Sequence, residues 1–214
     1  TEGLSKDEQQ EKVLEYVKQV VSRYKDSPAI RYWQIENEPF FRFGECPEWY
    51  YDGGKFLQKE IDLVKSLDPD RKIVISDSGE QSLWIKPARY GDIVGVTMYR
   101  KVWFHIIDGI GFYYDFPLPP VSYFKKAGLI NKFFQKDVIC IELQAEPWTE
   151  SIYADASVEE QQKTMDLDQF EKNIEYAKAT GMDTFYLWGV EWWYWMKETQ
   201  NQPEIWQEAQ KLFQ

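Results

Sequence analysis

Two glutamates each end a short apolar run, and residues of this type at this spacing favour carboxylate chemistry. Glu38 follows the segment Tyr32–Asn37, and Glu142 follows Val138–Ile141, 104 positions later. Strands of a parallel sheet can carry two carboxyls to the same rim. There, one carboxyl can donate and accept a proton while the other attacks carbon, which is what retaining cleavage of a glycosidic bond requires. The pair therefore defines the first candidate site.

The spacing of the two glutamates also suggests which strands carry them. A barrel of eight βα units has about 250 residues, so one unit takes roughly 30. Three such units with somewhat longer loops fill the 104-position interval between Glu38 and Glu142. We therefore predict that the two carboxyls end strands three apart in the ring.

The composition is that of a folded, acidic protein. Of the 214 residues, 43% are hydrophobic and 17% aromatic, which predicts a single domain over residues 1–214 and excludes general disorder. The net charge of −11 argues against nucleic acid or an anionic membrane as a partner. Ten Trp and 14 Tyr are enough either to fill a large aromatic core or to leave several rings for stacking on sugars, and both interpretations stay open.

The chain shows no pattern typical of a metal site, a disulfide framework or a membrane span. It has one histidine, His105, and lacks metal-ligand spacings, so we expect neither a metal nor another cofactor. Cys46 lies in a predicted loop and Cys140 within a predicted strand, which does not suggest a disulfide. No apolar stretch approaches about 18 residues, and no signal peptide is visible. Because the first residues resemble an internal loop, localisation stays open between cytoplasmic and secreted.

Hydrophobic periodicity predicts an alternation of helices and strands, which indicates a parallel sheet with helical crossovers. Ser5 and Glu8 suggest a capping box at the first helix. The predicted helices are Asp7–Tyr24, Gly54–Leu67, Ser82–Arg89, Pro120–Gln135, Val158–Thr180 and Pro203–Phe213. The predicted strands are Ile30–Glu36, Ile73–Ser76, Asp92–Tyr99, Asp137–Leu143 and Asp183–Trp188.

The alternation of side chains within the strands favours a barrel over an open doubly wound sheet. Central strands of an open sheet lie under helices on both faces and are apolar throughout. Here an apolar row such as Ile139, Ile141 and Leu143 alternates with a more polar row that contains Glu142. We therefore predict an α/β fold of the (β/α)8 barrel type, with the polar row facing the barrel interior and its C-terminal rim.

Five strands do not close an eight-stranded barrel. If Glu38 ends the fourth strand, this sequence carries strands 4–8, the C-terminal part of such a catalytic barrel. The remaining parallel edges would be exposed to unwanted pairing. We expect a segment N-terminal to this sequence, or a second chain, to supply the first three βα units.

The motif Asn37-Glu38-Pro39 at one predicted strand end, with Glu142 at another strand end, resembles clan A of the retaining glycoside hydrolases. This (β/α)8 group includes cellulases, β-mannanases, xylanases and β-galactosidases. The resemblance covers the whole chain, as the fourth to eighth strands. It implies a retaining, cellulase-like β-glycosidase that acts on a carbohydrate substrate, most simply an endo-acting β-glycanase.

The resemblance implies a role for each matching residue. Glu38 corresponds to the general acid/base and Glu142 to the nucleophile. Asn37 corresponds to a residue that hydrogen-bonds the sugar 2-hydroxyl, and Tyr99 to a tyrosine that hydrogen-bonds the nucleophile. Trp188 corresponds to the aromatic platform under the sugar.

Several alternatives stay open at this point. Trp148, Trp192, Trp193 and Trp195 are predicted in rim loops, where sugar stacking competes with simple loop packing. Glu146 is a rival nucleophile that lies beyond the strand. The chain as a whole is alternatively a non-catalytic carbohydrate-binding barrel, or an excised or designed half-barrel. Clan A enzymes also place an arginine on the second strand, a region that this sequence does not contain, so we expect the 214 residues alone to be poorly active.

Overall fold

The computed structural model describes residues 3–41, 53–107, 110–151 and 154–213. Cys46, predicted in a loop, lies outside these residues. The described helices are α1 Lys6–Tyr24, α2 Lys55–Leu67, α3 Ile85–Tyr90, α4 Pro120–Phe134, α5 Val158–Gln161, α6 Leu167–Ala179, α7 Val190–Thr199 and α8 Glu204–Lys211. The described strands are β1 Trp33–Gln34, β2 Ile73–Asp77, β3 Ile93–Met98, β4 Lys101–Ile107, β5 Ile110–Asp115, β6 Asp137–Gln144 and β7 Phe185–Trp188.

The chain divides into two compact units, Thr1–Val96 with Ala127–Val138, and Thr97–Lys126 with Ile139–Gln214. In the first unit, β1 pairs in parallel with β2, and β2 pairs in parallel with β3. The apolar faces of α1 and α2 close a core over these strands. That core contains Val21, Ile35, Leu57, Ile61, Val64, Ile73 and Ile75. The first unit therefore has the alternation of helices and parallel strands that the sequence predicted.

The second unit combines a parallel strand pair with an antiparallel hairpin. β6 pairs in parallel with β7, with Gln144 opposite Trp188. β4 and β5 form the hairpin, in which Phe104 lies opposite Phe112. The core contains Ala145, Met165, Phe170, Trp192, Trp193, Met196, Ile205 and Ala209. The pairing of β6 with β7 therefore places Trp188 beside the end of β6.

Most predicted elements are confirmed within a residue or two, and so is the capping box. The Ser5 N–H donates to the Glu8 carboxylate at 2.8 Å, and the Glu8 N–H donates to the Ser5 hydroxyl at 3.3 Å. Local periodicity and capping chemistry were sufficient for these elements because both depend on residues close in sequence.

The strand predicted over Ile30–Glu36 is wrong in its extent, because only Trp33 and Gln34 form β1. The Ile35 N–H still donates to the Val74 carbonyl at 3.1 Å, but Glu36 has φ of 59° and Glu38 has φ of 46°. Both values lie in the left-handed region, which non-glycine residues rarely adopt. Glu38 therefore does not directly end a strand, as the sequence predicted, because it lies in a turn after β1.

The long helix predicted over Val158–Thr180 is also wrong, since the structure has two helices there. Asp166 has extended backbone geometry and its carboxylate accepts the Gln169 N–H at 2.7 Å, which starts α6 anew. An aspartate that caps a helix in this way competes with helix continuation through its own position. Hydrophobic periodicity runs across the break and so did not reveal it.

The rim-loop prediction for Trp192, Trp193 and Trp195 is wrong, because all three lie on α7. Trp192 and Trp193 are buried in the core of the second unit. Their indole N–H groups donate to Gln161 at 2.7 Å and to the Ala145 carbonyl at 2.6 Å, respectively. Only Trp148 of the four proposed rim tryptophans lies outside helices and strands, with about half of its surface exposed.

Gly189 gives a prediction for the stability of the second unit. Its φ is 139°, and a Cβ atom there would meet the Ala145 carbonyl carbon and oxygen at 2.8 Å. Backbone strain of this kind costs about 1–3 kcal/mol before any steric displacement. We expect Gly189→Ala to lower Tm by several degrees, since about 1 kcal/mol shifts Tm by about 2–4 °C at this chain length.

Gly128 in α4 supplies the matched control for that measurement. A Cβ atom at this position has no neighbour within 4 Å. Gly128→Ala should raise stability by about 0.5–1 kcal/mol through higher helix propensity. Equal Tm values for the two variants in a calorimetric scan would contradict the steric argument.

Candidate active site

The carboxyl group of Glu142 lies at the end of β6 and is the centre of the site in the second unit. The Glu142 side chain is buried, on a strand with buried Cys140 and Leu143. The Tyr99 hydroxyl, directly after β3, donates to Glu142 Oε2 at 2.8 Å. A donated hydrogen bond fixes the orientation of a carboxyl group and favours its ionised form. The arrangement therefore suits a carboxylate that must point in one direction and carry charge.

Trp148 packs beside this hydrogen bond. Its ring meets the Tyr99 ring edge-on, with centroids 5.0 Å apart and an interplanar angle of 79°. The Trp148 backbone is held on both sides, because its N–H donates to the Thr164 hydroxyl at 3.0 Å and its carbonyl accepts the Trp103 N–H at 3.0 Å. The structure therefore brings together three of the six predicted site residues, Tyr99, Glu142 and Trp148.

Trp188 and Glu146 form a second pair at this end of β6 and β7. The Trp188 indole N–H donates to Glu146 Oε1 at 2.9 Å, and about half of the Trp188 side chain is exposed. The Ala145 N–H donates to the Trp188 carbonyl at 3.0 Å, which joins the two segments. The pair presents an exposed aromatic surface whose N–H group is already occupied, so stacking is the contact that it offers to a ligand.

The environment of Glu146 disfavours its ionised form. Burial raises the pKa of Glu146 above its ordinary value. The Trp188 hydrogen bond lowers the pKa, while the negative charges of Glu191 and Glu142 raise it further. This separates Glu146 from Glu142 chemically, since the carboxyl that has the tyrosine donor is Glu142. Glu146 is therefore better suited to accepting the Trp188 hydrogen bond than to acting as the nucleophile.

Glu38 and Asn37 lie in the turn after β1, in the first unit. The Glu38 N–H donates to the Ser76 hydroxyl at 2.8 Å, and the Ser76 hydroxyl in turn faces the Glu36 carbonyl at 3.5 Å. Ser76 is buried on β2, so a side chain of the neighbouring strand supports the turn. Left-handed backbone at Glu38 is strain of the kind that clusters at functional sites. The sequence prediction that Glu38 faces Glu142 stays a prediction.

A cavity of about 570 Å³ lies next to this turn in the first unit. Phe40 and Phe41, which follow the Asn37-Glu38-Pro39 motif, line it together with Asp77 and Trp84. Asp77 is used within its own loop, since its carboxylate accepts the Ser78 N–H at 2.9 Å and the Ser82 hydroxyl. Asp77 therefore lines the cavity, and its carboxylate stabilises the loop that follows β2.

Ser76 and Gln144 are buried polar residues near the candidate carboxyls that were not assigned a role from the sequence. Each lies in a strand whose other residues are mostly apolar, and this was the available signal. Among the described residues, no cluster of three or more histidine, cysteine, aspartate or glutamate side chains is arranged to hold a metal ion. In the described part of the chain, no helix has the length and apolar character needed to cross a membrane.

The fold and the site together define an α/β protein with a tyrosine-bound carboxylate at a strand end. The family model of glycosyl hydrolase family 10 matches residues 1–212, and the chain belongs to this family. The predicted fold class is confirmed: the chain has the (β/α)8 barrel type of fold, with the five parallel strands as strands 4–8. The resemblance to clan A is confirmed as well.

Individual relatives cover the chain to different extents. A probable mannan endo-1,4-beta-mannosidase F of Aspergillus flavus is 38% identical over 79 residues, which are 37% of this chain and 16% of that protein. Xylanase 10B of Thermotoga petrophila RKU-1, solved with xylobiose, superposes with a TM-score of 0.52 at 17% identity, over 87% of this chain and 55% of that one. A beta-D-glucuronidase of Dictyoglomus thermophilum gives 0.52 at 19% identity, over 88% and 30%. The chain thus matches less than two thirds of each relative.

Glu146 gives a prediction for the dependence of stability on pH. Its pKa is raised in the folded state, so the folded state is favoured below the unfolded pKa and loses that advantage as pH rises through the folded pKa. Glu146→Gln keeps an oxygen acceptor for Trp188 and removes the ionisation. We expect the variant to have a higher Tm than the parent at pH 7 and the same Tm near pH 4.

The matched control for Glu146 is Glu175, an exposed glutamate of α6 that pairs with Lys178 at 2.7 Å. Glu175→Gln should change Tm little at either pH, because exposed pairs contribute little. A Tm difference between Glu146→Gln and the parent that is as large at pH 4 as at pH 7 would show that ionisation of Glu146 is not its cause.

Proposed function

We propose that this chain carries the catalytic carboxyls of a retaining β-glycoside hydrolase that acts on a β-linked glycan. The observation that carries the proposal is the Tyr99 hydrogen bond to the buried Glu142 carboxyl at a strand end. Membership of glycosyl hydrolase family 10 supports it. Because the matched relatives are longer than the matched regions, we infer that further polypeptide, preceding this sequence or in a second chain, supplies the other βα units.

The reaction follows a double displacement. In the first step, a Glu142 oxygen attacks the anomeric carbon and forms a glycosyl ester, while the glycosidic bond breaks and the leaving oxygen takes a proton from Glu38. In the second step, Glu38 removes a proton from water, the hydroxide oxygen attacks the anomeric carbon, and the ester bond to Glu142 breaks. Both carboxyls return to their starting protonation states. Two inversions give net retention.

The other predicted residues hold the sugar during these steps. Trp188 offers its exposed ring as the platform, and Trp148 extends the aromatic surface beside Tyr99. Asn37 is exposed in the turn beside Glu38, and the role that we propose for it is a hydrogen bond to the sugar 2-hydroxyl. Tyr99 keeps Glu142 oriented for attack. An oriented nucleophile lowers the barrier because the reacting atoms are already aligned.

The charges in the second unit favour a neutral glycan. Glu146 experiences the negative charges of both Glu142 and Glu191. A uronic acid bound on Trp188 would add another carboxylate to this group and would be repelled. The mannanase and xylanase relatives, rather than the glucuronidase, therefore indicate the substrate class, and endo-action on such a glycan is the form that we propose.

Trapping of the covalent intermediate tests the proposal directly. Activated 2-deoxy-2-fluoro β-glycosides of mannose, xylose and glucose are incubated with the whole polypeptide, and the adduct is located by peptide mass mapping. We expect one adduct on Glu142. A protein that binds the sugars without forming an adduct would be a carbohydrate-binding barrel, and an adduct on Glu146 would make that residue the nucleophile.

The two carboxyls should respond differently to substitution. Glu142→Gln removes the atom that bonds carbon and should abolish turnover of every glycoside. Glu38→Ala removes only proton transfer, worth roughly 10²–10⁴-fold, so aryl glycosides with good leaving groups should still form the intermediate. Azide should then restore turnover and give a β-glycosyl azide, because an anion needs no general base.

Glu36 supplies the control for the azide experiment, since it lies two positions before Glu38 in the same turn. Glu36→Gln should show no dependence on azide. An α-glycosyl azide formed by Glu142→Ala, with Glu38→Ala inert, would reverse the two assigned roles.

Retention also makes a geometric prediction. In a crystal structure of the whole polypeptide, the carboxyls of Glu38 and Glu142 should be about 5–5.5 Å apart. A separation of about 6.5–9.5 Å would indicate an inverting enzyme that activates water directly. The stereochemistry of the first product, followed by NMR, provides the independent check.

A further inference from the structure

The Gln144 side chain is completely buried at the end of β6, two residues after Glu142. Its Oε1 atom accepts the Arg100 N–H at 2.8 Å and the Lys101 N–H at 3.0 Å. Its Nε2 atom donates to the Lys101 carbonyl at 2.7 Å. Nε2 also donates to the Glu146 carbonyl over a longer distance of 3.5 Å. The side-chain amide therefore makes four hydrogen bonds, three of them to the two consecutive backbone units of Arg100 and Lys101.

The backbone held by Gln144 is the one that directly follows Tyr99. Arg100 and Lys101 form the root of the β4–β5 hairpin, where the Phe116 N–H also donates to the Arg100 carbonyl at 2.9 Å. The position of the Tyr99 hydroxyl on Glu142 depends on where this root sits, because Tyr99 lies between β3 and the first clamped residue. Gln144 and Glu142 belong to one strand, so the clamp and the carboxyl move together.

We propose that Gln144 is a positioning residue that holds the Tyr99 hydroxyl against the Glu142 carboxyl through the backbone of Arg100 and Lys101. The inference rests on the proposed function, in which Glu142 is the nucleophile. Gln144 touches neither the sugar nor the reacting atoms. It acts by keeping Tyr99 within hydrogen-bonding distance of Glu142.

The chemistry of the amide explains why glutamine suits this position. The clamped backbone presents two donors and one acceptor, and a glutamine side chain supplies an acceptor with two lone pairs together with a donor. A glutamate would lack the donor for the Lys101 carbonyl. A methionine of similar length would leave two buried N–H groups and one carbonyl without their partner, which costs more than the bonds themselves contribute.

The support of Gln144 extends into α6. The Asn173 side-chain amide donates to the backbone carbonyl of Gln144 at 2.9 Å. The Gln169 side-chain amide donates to the Asn173 side-chain oxygen at 2.8 Å. The end of β6 is thus fixed from the helix side as well as from the hairpin side. Loss of the Gln144 amide would release the hairpin root and the longer contact to the Glu146 carbonyl, while β6 keeps its pairing with β7 and its bond from Asn173.

The ionisation of Glu142 reports on this arrangement. In the second unit, Tyr99 acts on Glu142 through its hydrogen bond, and Glu142 and Glu146 act on each other through their charges. Loss of the tyrosine donor removes stabilisation of the ionised form and so moves titration of Glu142 upward, by about one pH unit for a charge-assisted hydrogen bond.

The test compares Gln144→Met, Tyr99→Phe and the double variant in the whole polypeptide. The readout is the acid limb of kcat/KM against pH on an aryl glycoside. We expect Gln144→Met to move the midpoint of that limb upward by about one pH unit and to lower kcat by roughly 10- to 100-fold with little change in KM, as misplacement of a reacting group does. The double variant should move the midpoint no further than Tyr99→Phe alone.

Gln161 supplies the matched control, because it is an equally buried glutamine in the same unit. Its amide donates to the Ala156 carbonyl at 2.9 Å and accepts the Trp192 indole N–H at 2.7 Å. Gln161→Met should lower Tm and leave the acid limb where it is. The midpoint does not depend on the fraction of folded enzyme, so loss of stability alone cannot imitate the expected shift.

A second variant and a second measurement keep the inference open to refutation if Gln144→Met folds poorly. Gln144→Asn retains the amide but withdraws it by one methylene, and should move the midpoint in the same direction. Titration of the Glu142 carboxyl by NMR of protein labelled with ¹³C-carboxyl glutamate, assigned through Glu142→Gln, measures the same shift without substrate.

The outcomes separate the two proposals. If no glycoside is hydrolysed and no adduct forms, the proposed function fails, while the NMR titration still decides the role of Gln144. If Tyr99→Phe moves the titration of Glu142 and neither Gln144 variant does, Gln144 is not a positioning residue. Additive shifts in the double variant would likewise overturn the inference, because Gln144 would then act independently of Tyr99.

Discussion

A carboxylate at the end of a buried strand requires a polar partner, and this requirement organises the second unit. Glu142 lies among apolar residues of β6, where an ionised group without a hydrogen bond would be strongly disfavoured. The Tyr99 hydroxyl meets the requirement. Tyr99 directly follows β3, so the position of its hydroxyl depends on the path of the chain after that strand, which the Gln144 amide fixes.

The first unit uses a related device at the other candidate carboxyl. Glu38 lies in a turn whose backbone occupies the left-handed region, and the buried Ser76 hydroxyl accepts its N–H. In each unit, then, a polar side chain from a strand supports the backbone of a neighbouring segment that carries a functional group. Because a neighbouring side chain holds the backbone, the functional side chain does not have to stabilise its own loop. The strain at Glu38 persists because the surroundings determine its conformation.

How much of this structure the sequence predicted depends on how far apart in sequence the interacting residues lie. α1, α2 and β2 were predicted because periodicity, caps and chain breaks lie within a few residues of each other. Glu142 was predicted because it ends a recognisable apolar strand, whereas the role of Tyr99 was predicted from the resemblance to clan A. The roles of Ser76 and Gln144 were not predicted, because a buried polar residue reveals its function only through partners that are distant in sequence.

Two further elements escaped prediction for a different physical reason. The β4–β5 hairpin and α7 are both rich in aromatic residues, which suit a strand, a buried helix or a sugar-binding loop equally well. Gly189, with a φ of 139° and the Ala145 backbone close by, is the residue at which the chain leaves β7 and enters α7, where Trp192 and Trp193 lie in the core. The same turn leaves Trp188 outside, with its N–H bound to Glu146. Gly189 thus lies between the tryptophans that build the core and the one that remains exposed beside the strand of Glu142, and composition alone could not have made that division.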